Sequence, residues 1–277
     1  MTDVMTLNRV FEHAKEAEKI MPAMSMRFFT ALAGSQNYGL SDEHSDVDTK
    51  TLFVPSFQNA ILNPQPYAKT FVYENSDIVN PLGHCAEEHI NLADVRHMFL
   101  SYKKQNVNFL ETLFTPYVDI NPACKQFYQE LYDAREDIAH YNMAQQFHVL
   151  RGHFREKHIK YLRACENTEL YGYDPKQVAF AMYLKDFVVR LFLKDESYEN
   201  CLRAANPSEL IAIKRGSLSA EEAHMVMDEL AKEMDSLTEM IQPKIENVIP
   251  NPAVDNLLEK LTLELFATSF KSGGFYA

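Results

Sequence analysis

Residues Gly34–Lys50 read GSQNYGLSDEHSDVDTK, and this stretch decides both the fold and the candidate site. Apolar runs on either side of it, Met26–Leu32 and Val47–Val54, predict two strands, and apolar residues spaced by threes and fours from about Val4 to Ile20 predict a helix before them. Glycine at position 34 permits a positive φ and a close approach of the backbone to a ligand. A turn of this kind, with Ser35 next, offers N–H groups and a hydroxyl to a phosphate.

Two aspartates follow the turn. Asp46 and Asp48 are separated by one residue on the second predicted strand, so their side chains project from the same face. Carboxylates held this close repel each other unless a divalent cation lies beside them. Hard cations prefer oxygen ligands and accept substrate phosphates at their other positions. The pattern therefore predicts a metal-dependent phosphate-handling site that holds Mg²⁺ or Mn²⁺.

The order Gly-Ser, a spacer of ten residues and then Asp-x-Asp resembles the signature of the DNA polymerase β-like nucleotidyltransferase superfamily. The fuller run resembles one branch, the predicted nucleotidyltransferases of bacteria and bacteriophages. This resemblance extends from about Arg27 to Glu222. It implies an active enzyme in which a set of residues binds the nucleotide, namely Gly34, Ser35, Tyr38, Gly39, Ser45 and Lys50.

The resembled superfamily places a third acidic residue on a strand next to Asp-x-Asp. Residues Glu87–Val95 are predicted to form such a strand, with Glu88 and Ile90 on one face. The resemblance makes Glu88 the third catalytic and metal-binding carboxylate, beside the two aspartates. Three carboxylates can hold two cations that clamp an in-line displacement at phosphorus. Glu87 is the second choice and Asp94 the third, because one sequence does not fix strand register.

From residue 143 the sequence predicts helices. Met143–Ala164 is rich in basic groups, with Arg151, Arg155 and His158 on one face. Two interpretations stay open, a face for nucleotide or nucleic-acid phosphates and a solvated face balanced by acidic neighbours. A later helix is predicted to begin at a capping box formed by Ser219 and Glu222, and its apolar seam from Ala223 to Ile241 is coiled-coil-like and packs on a further helix.

The segment Gly172–Lys176 predicts a helix start, with Asp174 as N-cap and Pro175 at the first helical position. The resembled branch has a comparable start, which implies that Lys176 contacts substrate phosphate. Capping explains the same residues without a ligand. Upstream, Glu111 lies among apolar neighbours and is predicted to be a buried, paired acid with a structural role.

Composition indicates which partners the protein binds and which cellular compartment it occupies. The 277 residues are 46% hydrophobic and 24% charged, as in globular proteins. The net charge of −12 argues against general attraction to nucleic acid, although a small or end-bound substrate stays open. Widely spaced cysteines are predicted to be free thiols in a reducing cytosol: Cys85, Cys124, Cys165 and Cys201. With no apolar segment of bilayer-spanning length, we expect a cytoplasmic protein without a membrane partner.

Together these patterns predict an α+β fold. Residues 1–115 are expected to form a small mixed-sheet nucleotidyltransferase catalytic core, and residues 116–277 a helical substrate-binding and closing domain. The resemblance implies transfer of a nucleoside monophosphate from an NTP to an RNA end, a small molecule or a protein side chain. The alternative is a nucleotide-binding regulatory partner, one component of a toxin–antitoxin or phage-defence pair, with little or no catalysis.

Overall fold

A computed structural model describes residues 3–42, 45–79 and 85–272 of the chain. They divide into two compact units. Unit 1 comprises residues 1–37, 43–141 and 251–277, and unit 2 comprises residues 38–42 and 142–250. None of the described helices has the length and apolarity needed to cross a membrane.

The centre of unit 1 is a five-stranded mixed sheet in the order β3-β4-β2-β1-β5. β2 pairs in parallel with β4 and antiparallel with β1, and β5 pairs with β1 at one edge. The α+β architecture expected from the sequence is therefore present. The strands are β1 (Met26–Ala33), β2 (Asp48–Val54), β3 (Ala68–Val79), β4 (Cys85–Asp94) and β5 (Val118–Ile120).

Helix α1 (Val4–Ile20) covers one face of this sheet, as its three-and-four spacing of apolar residues predicts. Asp3 caps its N-terminus by accepting hydrogen bonds from the N–H groups of Met5 and Thr6. Ala17 packs in a cluster with Phe53 and Ile90, and all three side chains are fully buried. Burial of aliphatic and aromatic side chains contributes roughly 1.5–3 kcal/mol each, which fixes α1 on the sheet.

Short and medium helices complete unit 1. They are α2 (Phe57–Leu62), α3 (Val95–Lys103), α4 (Val107–Leu110), α5 (Lys125–Asp133), α6 (Arg135–Ala139) and α13 (Pro252–Ser272). The α13 helix contacts α3 and β2, although it lies far from them in sequence. Unit 1 thus includes residues 116–141 and 251–277, which the sequence prediction assigned to the second domain, because β5 and α13 pack with the sheet.

Unit 2 is helical. Its elements are α7 (Met143–Lys160), α8 (Glu166–Tyr171), α9 (Pro175–Leu193), α10 (Tyr198–Leu202), α11 (Pro207–Lys214) and α12 (Ala220–Ile245). The predicted caps of two helices are present: Asp174 caps α9, and Ser219 with Glu222 forms a capping box on α12. The apolar seam of α12, from Ala223 to Ile241, is buried against α7 and α9.

Candidate metal and phosphate site

The strand register places the glycine-serine turn, at the C-terminal end of β1, beside the Asp-x-Asp pair, at the N-terminal end of β2. Ala33, the last residue of β1, pairs with Asp48, the first residue of β2. The turn therefore leaves β1 at the point where the aspartate strand enters. Gln36 of the turn donates a hydrogen bond from Nε2 to the carbonyl oxygen of Asp46 at 3.2 Å. Local pairing thus holds the turn against the aspartate segment.

Asp46 and Asp48 converge with a third residue, His89 of β4. Each of the three offers a ligand atom, and these atoms lie within 4.8 Å of one another. All three side chains are half-buried. We call this group the Asp–His cluster. Its two carboxylates are those that the sequence predicted, and its imidazole is not.

Hydrogen bonds orient the imidazole within the cluster. The backbone N–H and the Nδ1 of His89 each lie 2.9 Å from Oδ1 of Asp48. An ionised carboxylate only accepts hydrogen bonds, so Nδ1 of His89 is the donor to Asp48. Oδ1 of Asp48 is therefore engaged by His89, while Oδ2 of Asp48 and Nε2 of His89 take no part in this contact.

Glu88, the predicted third carboxylate, does not join the cluster. Thr49 pairs with Ile90, and side chains alternate along a strand, so Glu88 points to the sheet face opposite Asp48. It is fully buried there and accepts hydrogen bonds from Arg9, at 2.7 Å from Nε, and contacts Nε2 of His13 at 3.1 Å. A one-residue difference in register puts His89 where the sequence placed Glu88.

The other two acidic alternatives differ in position. Glu87 is exposed and lies two residues from His89 on the same strand, so it shares the face of the cluster. Asp94 is fully buried and caps α3 by accepting hydrogen bonds from the N–H groups of Arg96 and His97. Asp94 also forms an ion pair with Arg96 at 2.7 Å. Of the three predicted acids, only Glu87 lies on the face of β4 that carries His89.

Glu111 is a buried anchor of the phosphate turn, as its apolar setting predicted. Its Oε2 accepts hydrogen bonds from the N–H of Gly34 at 2.9 Å and from Nδ2 of Asn37 at 3.1 Å. Its Oε1 lies 3.6 Å from the ammonium group of Lys50. Two groups assigned to the nucleotide, the Gly34 N–H and the Lys50 ammonium, are therefore already engaged inside unit 1.

Gly34 and Ser35 leave room and donors at the turn. Gly34 has a φ of +91°, and no described atom outside its chain neighbours lies within 4 Å of where a Cβ would be. Ser35 is half-buried, and neither its N–H nor its hydroxyl makes a hydrogen bond to any described residue. Ser45 is half-buried in the segment before Asp46. Ser35 thus offers donors in the predicted phosphate turn that have no partner among the described residues.

Three predicted nucleotide-binding residues belong to unit 2. Tyr38 is buried and its ring packs against those of Phe180 and Tyr183. Gly39 is exposed, with a φ of +73°. The backbone N–H of Lys176 donates to Asp174 at 3.1 Å as part of the α9 cap. Core packing and capping therefore account for Tyr38 and for the Asp174–Lys176 segment within unit 2.

Sequence reasoning missed His89 and Gln36. The alternation of Glu87, His89 and Asn91 on one face was visible in the sequence, and it becomes informative only once β4 is known to pair with β2 in parallel. Gln36 gave no signal, because a single amide in a turn has many possible partners.

Comparison of the sequence with protein-family models and with curated proteins gives no match.

Proposed function

We propose that the protein is a metal-dependent nucleotidyltransferase that moves a nucleoside monophosphate from an NTP to an acceptor hydroxyl. One observation carries the proposal. The Gly34–Ser35 turn and the two aspartates lie side by side at the ends of neighbouring strands, and the hydrogen bond from Gln36 to Asp46 joins them. This chemistry mainly requires that phosphates be positioned and their charge neutralised. The turn would do the first, and a cation held by the aspartates would do the second.

The donor set suits a divalent cation. Asp46 and Asp48 supply carboxylate oxygens and His89 supplies Nε2, a combination that accepts Mn²⁺ readily and Mg²⁺ less well, since Mg²⁺ favours oxygen. When bound, the cation would neutralise developing charge on the transferred phosphoryl group. The residues therefore fit the Mn²⁺ alternative of the sequence prediction better than Mg²⁺.

The protein's own groups would handle the rest of the nucleotide. Ser35 would donate its N–H and hydroxyl to phosphate oxygens, and the absence of a Cβ at Gly34 would let them approach the backbone. Glu111 would hold the turn in shape, because it receives the N–H of Gly34. Glu87, exposed on the face of the cluster, would be the third carboxylate and would orient the acceptor hydroxyl.

A labelled-transfer assay tests the proposal. The purified chain is incubated with each α-³²P-labelled NTP, Mn²⁺ or Mg²⁺, and candidate RNAs, small hydroxyl compounds and proteins. The proposal predicts metal-dependent transfer of label to an acceptor, lost in Asp48→Asn and kept in Asp228→Asn, an acidic control in unit 2. Absence of transfer with every NTP and acceptor, in a chain that binds NTP, would contradict it.

That last outcome would favour the regulatory alternative, a nucleotide-binding partner with little or no catalysis. One observation points that way: Glu111 already engages the N–H of Gly34 and the Lys50 ammonium, two groups that the resemblance assigns to the nucleotide. Another points the other way. A regulatory partner that used the α12 seam as its interaction surface would leave the seam partly exposed, whereas the seam is buried within unit 2.

A further inference from the structure

Helix α7 and the three residues after it carry a net positive charge, whereas the whole chain is net negative. Residues 143–163 contain five Lys and Arg and one Glu, in a protein whose net charge is −12. The side chains of Arg151, Arg155 and Arg163 are exposed, and their guanidinium groups make no ion pair or hydrogen bond to any described residue. His158, the third member of the predicted basic face, packs instead against the rings of Phe154 and Tyr161.

Gly152 lies on the same exposed face, between the first two arginines. Glycine is the least favourable helix-interior residue apart from proline, so its presence in the middle of α7 needs a reason. Packing supplies none, because no described atom outside the helix backbone lies within 4 Å of where its Cβ would be. Its φ is not positive, so backbone conformation supplies none either. The remaining reason is close approach by a molecule from outside the chain.

The flanking arginines indicate what approaches. Arg151 and Arg155 are one helical turn apart, a rise of about 6 Å, which is close to the spacing of neighbouring phosphates along a nucleic-acid strand. A guanidinium binds a phosphate through two parallel hydrogen bonds. A short strip of three arginines suits a few phosphates, consistent with a small or end-bound nucleic acid in an otherwise acidic protein.

We infer that the exposed surface formed by Arg151, Gly152 and Arg155 of α7, and by Arg163 three residues after its end, binds the phosphate backbone of an RNA strand, with Gly152 as the point of closest approach. The binding surface stands on these four residues alone. That this RNA is also the acceptor of the transfer rests on the proposed function.

Fluorescence anisotropy with a labelled single-stranded RNA 20-mer tests the inference, in EDTA and without NTP, so that catalysis plays no part. The triple variant Arg151→Ala, Arg155→Ala, Arg163→Ala is predicted to weaken binding. Each phosphate contact contributes about 0.7 to the slope of log K against log salt, so the loss of three contacts should make the slope shallower by about 2. Lys15→Ala, Lys104→Ala, Lys125→Ala removes three exposed cations from unit 1 as the matched control, with the wild-type slope expected.

Gly152→Ala separates a binding role from a structural one. Alanine should raise the midpoint of thermal unfolding by about 2–4 °C, because it favours the helix, and should weaken RNA binding about threefold or more, because its methyl group meets the strand. Ser236→Ala on α12 is the control that changes an exposed helical residue without affecting binding. The inference is overturned if Gly152→Ala leaves RNA binding unchanged, or if the triple variant keeps the wild-type slope. It is also overturned if the chain binds phosphatidylserine vesicles and not RNA.

Failure here and failure of the proposed function are distinguishable. RNA binding that depends on α7, without label transfer to any acceptor, would contradict the transferase and leave the binding surface intact. Label transfer to an acceptor, together with RNA binding that the α7 variants leave unchanged, would support the transferase and contradict the binding surface.

Discussion

The backbone N–H and the Nδ1 of His89 both lie 2.9 Å from the same oxygen of Asp48. This double contact joins the start of β2 to β4, and it leaves Nε2 as the ring nitrogen that Asp48 does not engage. The third member of the candidate metal site is thus a nitrogen ligand.

His89→Ala should lower the affinity for Mn²⁺ about tenfold or more and reduce the preference for Mn²⁺ over Mg²⁺, because the imidazole is the softer ligand. Isothermal titration with each metal measures both effects. Electron spin-echo spectroscopy of bound Mn²⁺ should show coupling to ¹⁴N that disappears in the variant. The control His148→Ala removes an exposed imidazole from unit 2. Unchanged ¹⁴N coupling in His89→Ala would exclude His89 as a ligand.

Glu88→Gln and Glu87→Gln should separate stability from activity. Glu88 is a buried partner of Arg9, so its neutralisation should destabilise unit 1 by about 3 kcal/mol and leave the Mn²⁺ dissociation constant within about twofold. Glu87 is exposed on the cluster face, so Glu87→Gln should lower transfer without changing stability. Urea unfolding and the transfer assay measure the two quantities. If Glu88→Gln abolished metal binding in a folded protein, the assignment of the third carboxylate would be wrong.

Glu111→Ala should destabilise unit 1 by about 3 kcal/mol or more, since it leaves the buried Lys50 ammonium and the Gly34 N–H without their partner. Lys50→Met in the same background should recover part of this loss, because it removes the uncompensated charge. Urea unfolding of the single and double variants gives the coupling between the two side chains. Additive effects would mean that the Glu111–Lys50 pair does not anchor the turn.

Thiol reactivity should follow burial. Burial raises the pKa of the Cys124 thiol to about 11, so little thiolate is present at pH 8. Cys201 is also buried, whereas Cys165 is exposed. In a Cys85→Ser background, we expect one thiol to react rapidly with Ellman's reagent and two to react only after unfolding. Rapid reaction that persists in Cys85→Ser, Cys165→Ser would contradict the described packing of Cys124 and Cys201.

Local patterns predicted the elements of the fold well. The spacing of apolar residues gave α1 its observed bounds, and Asp174 and Ser219 cap the helices that their sequences indicated. These features depend on residues close in sequence. Short elements such as β5 carry too few residues for a periodic signal, and the contact of α13 with the sheet joins segments far apart in the chain.

The candidate site was only partly predictable for the same reason. Asp48 begins β2 and Asp46 lies two residues before it, so their closeness follows from sequence spacing, although the prediction placed both on the strand. The third position depends on the register between β2 and β4, which are separated by β3 and its connections. A shift of one residue exchanges Glu88 for His89. The engagement of Lys50 and Gly34 by Glu111 likewise joins residues that sequence spacing does not relate.

The most direct test of the central claim is a crystal structure with Mn²⁺ and a non-hydrolysable NTP, in which anomalous scattering locates the metal. We predict a peak within about 2.0–2.3 Å of oxygens of Asp46 and Asp48 and of Nε2 of His89, with the triphosphate at Ser35. A metal peak away from these three residues, or a triphosphate bound away from the Gly34–Ser35 turn, would contradict the account.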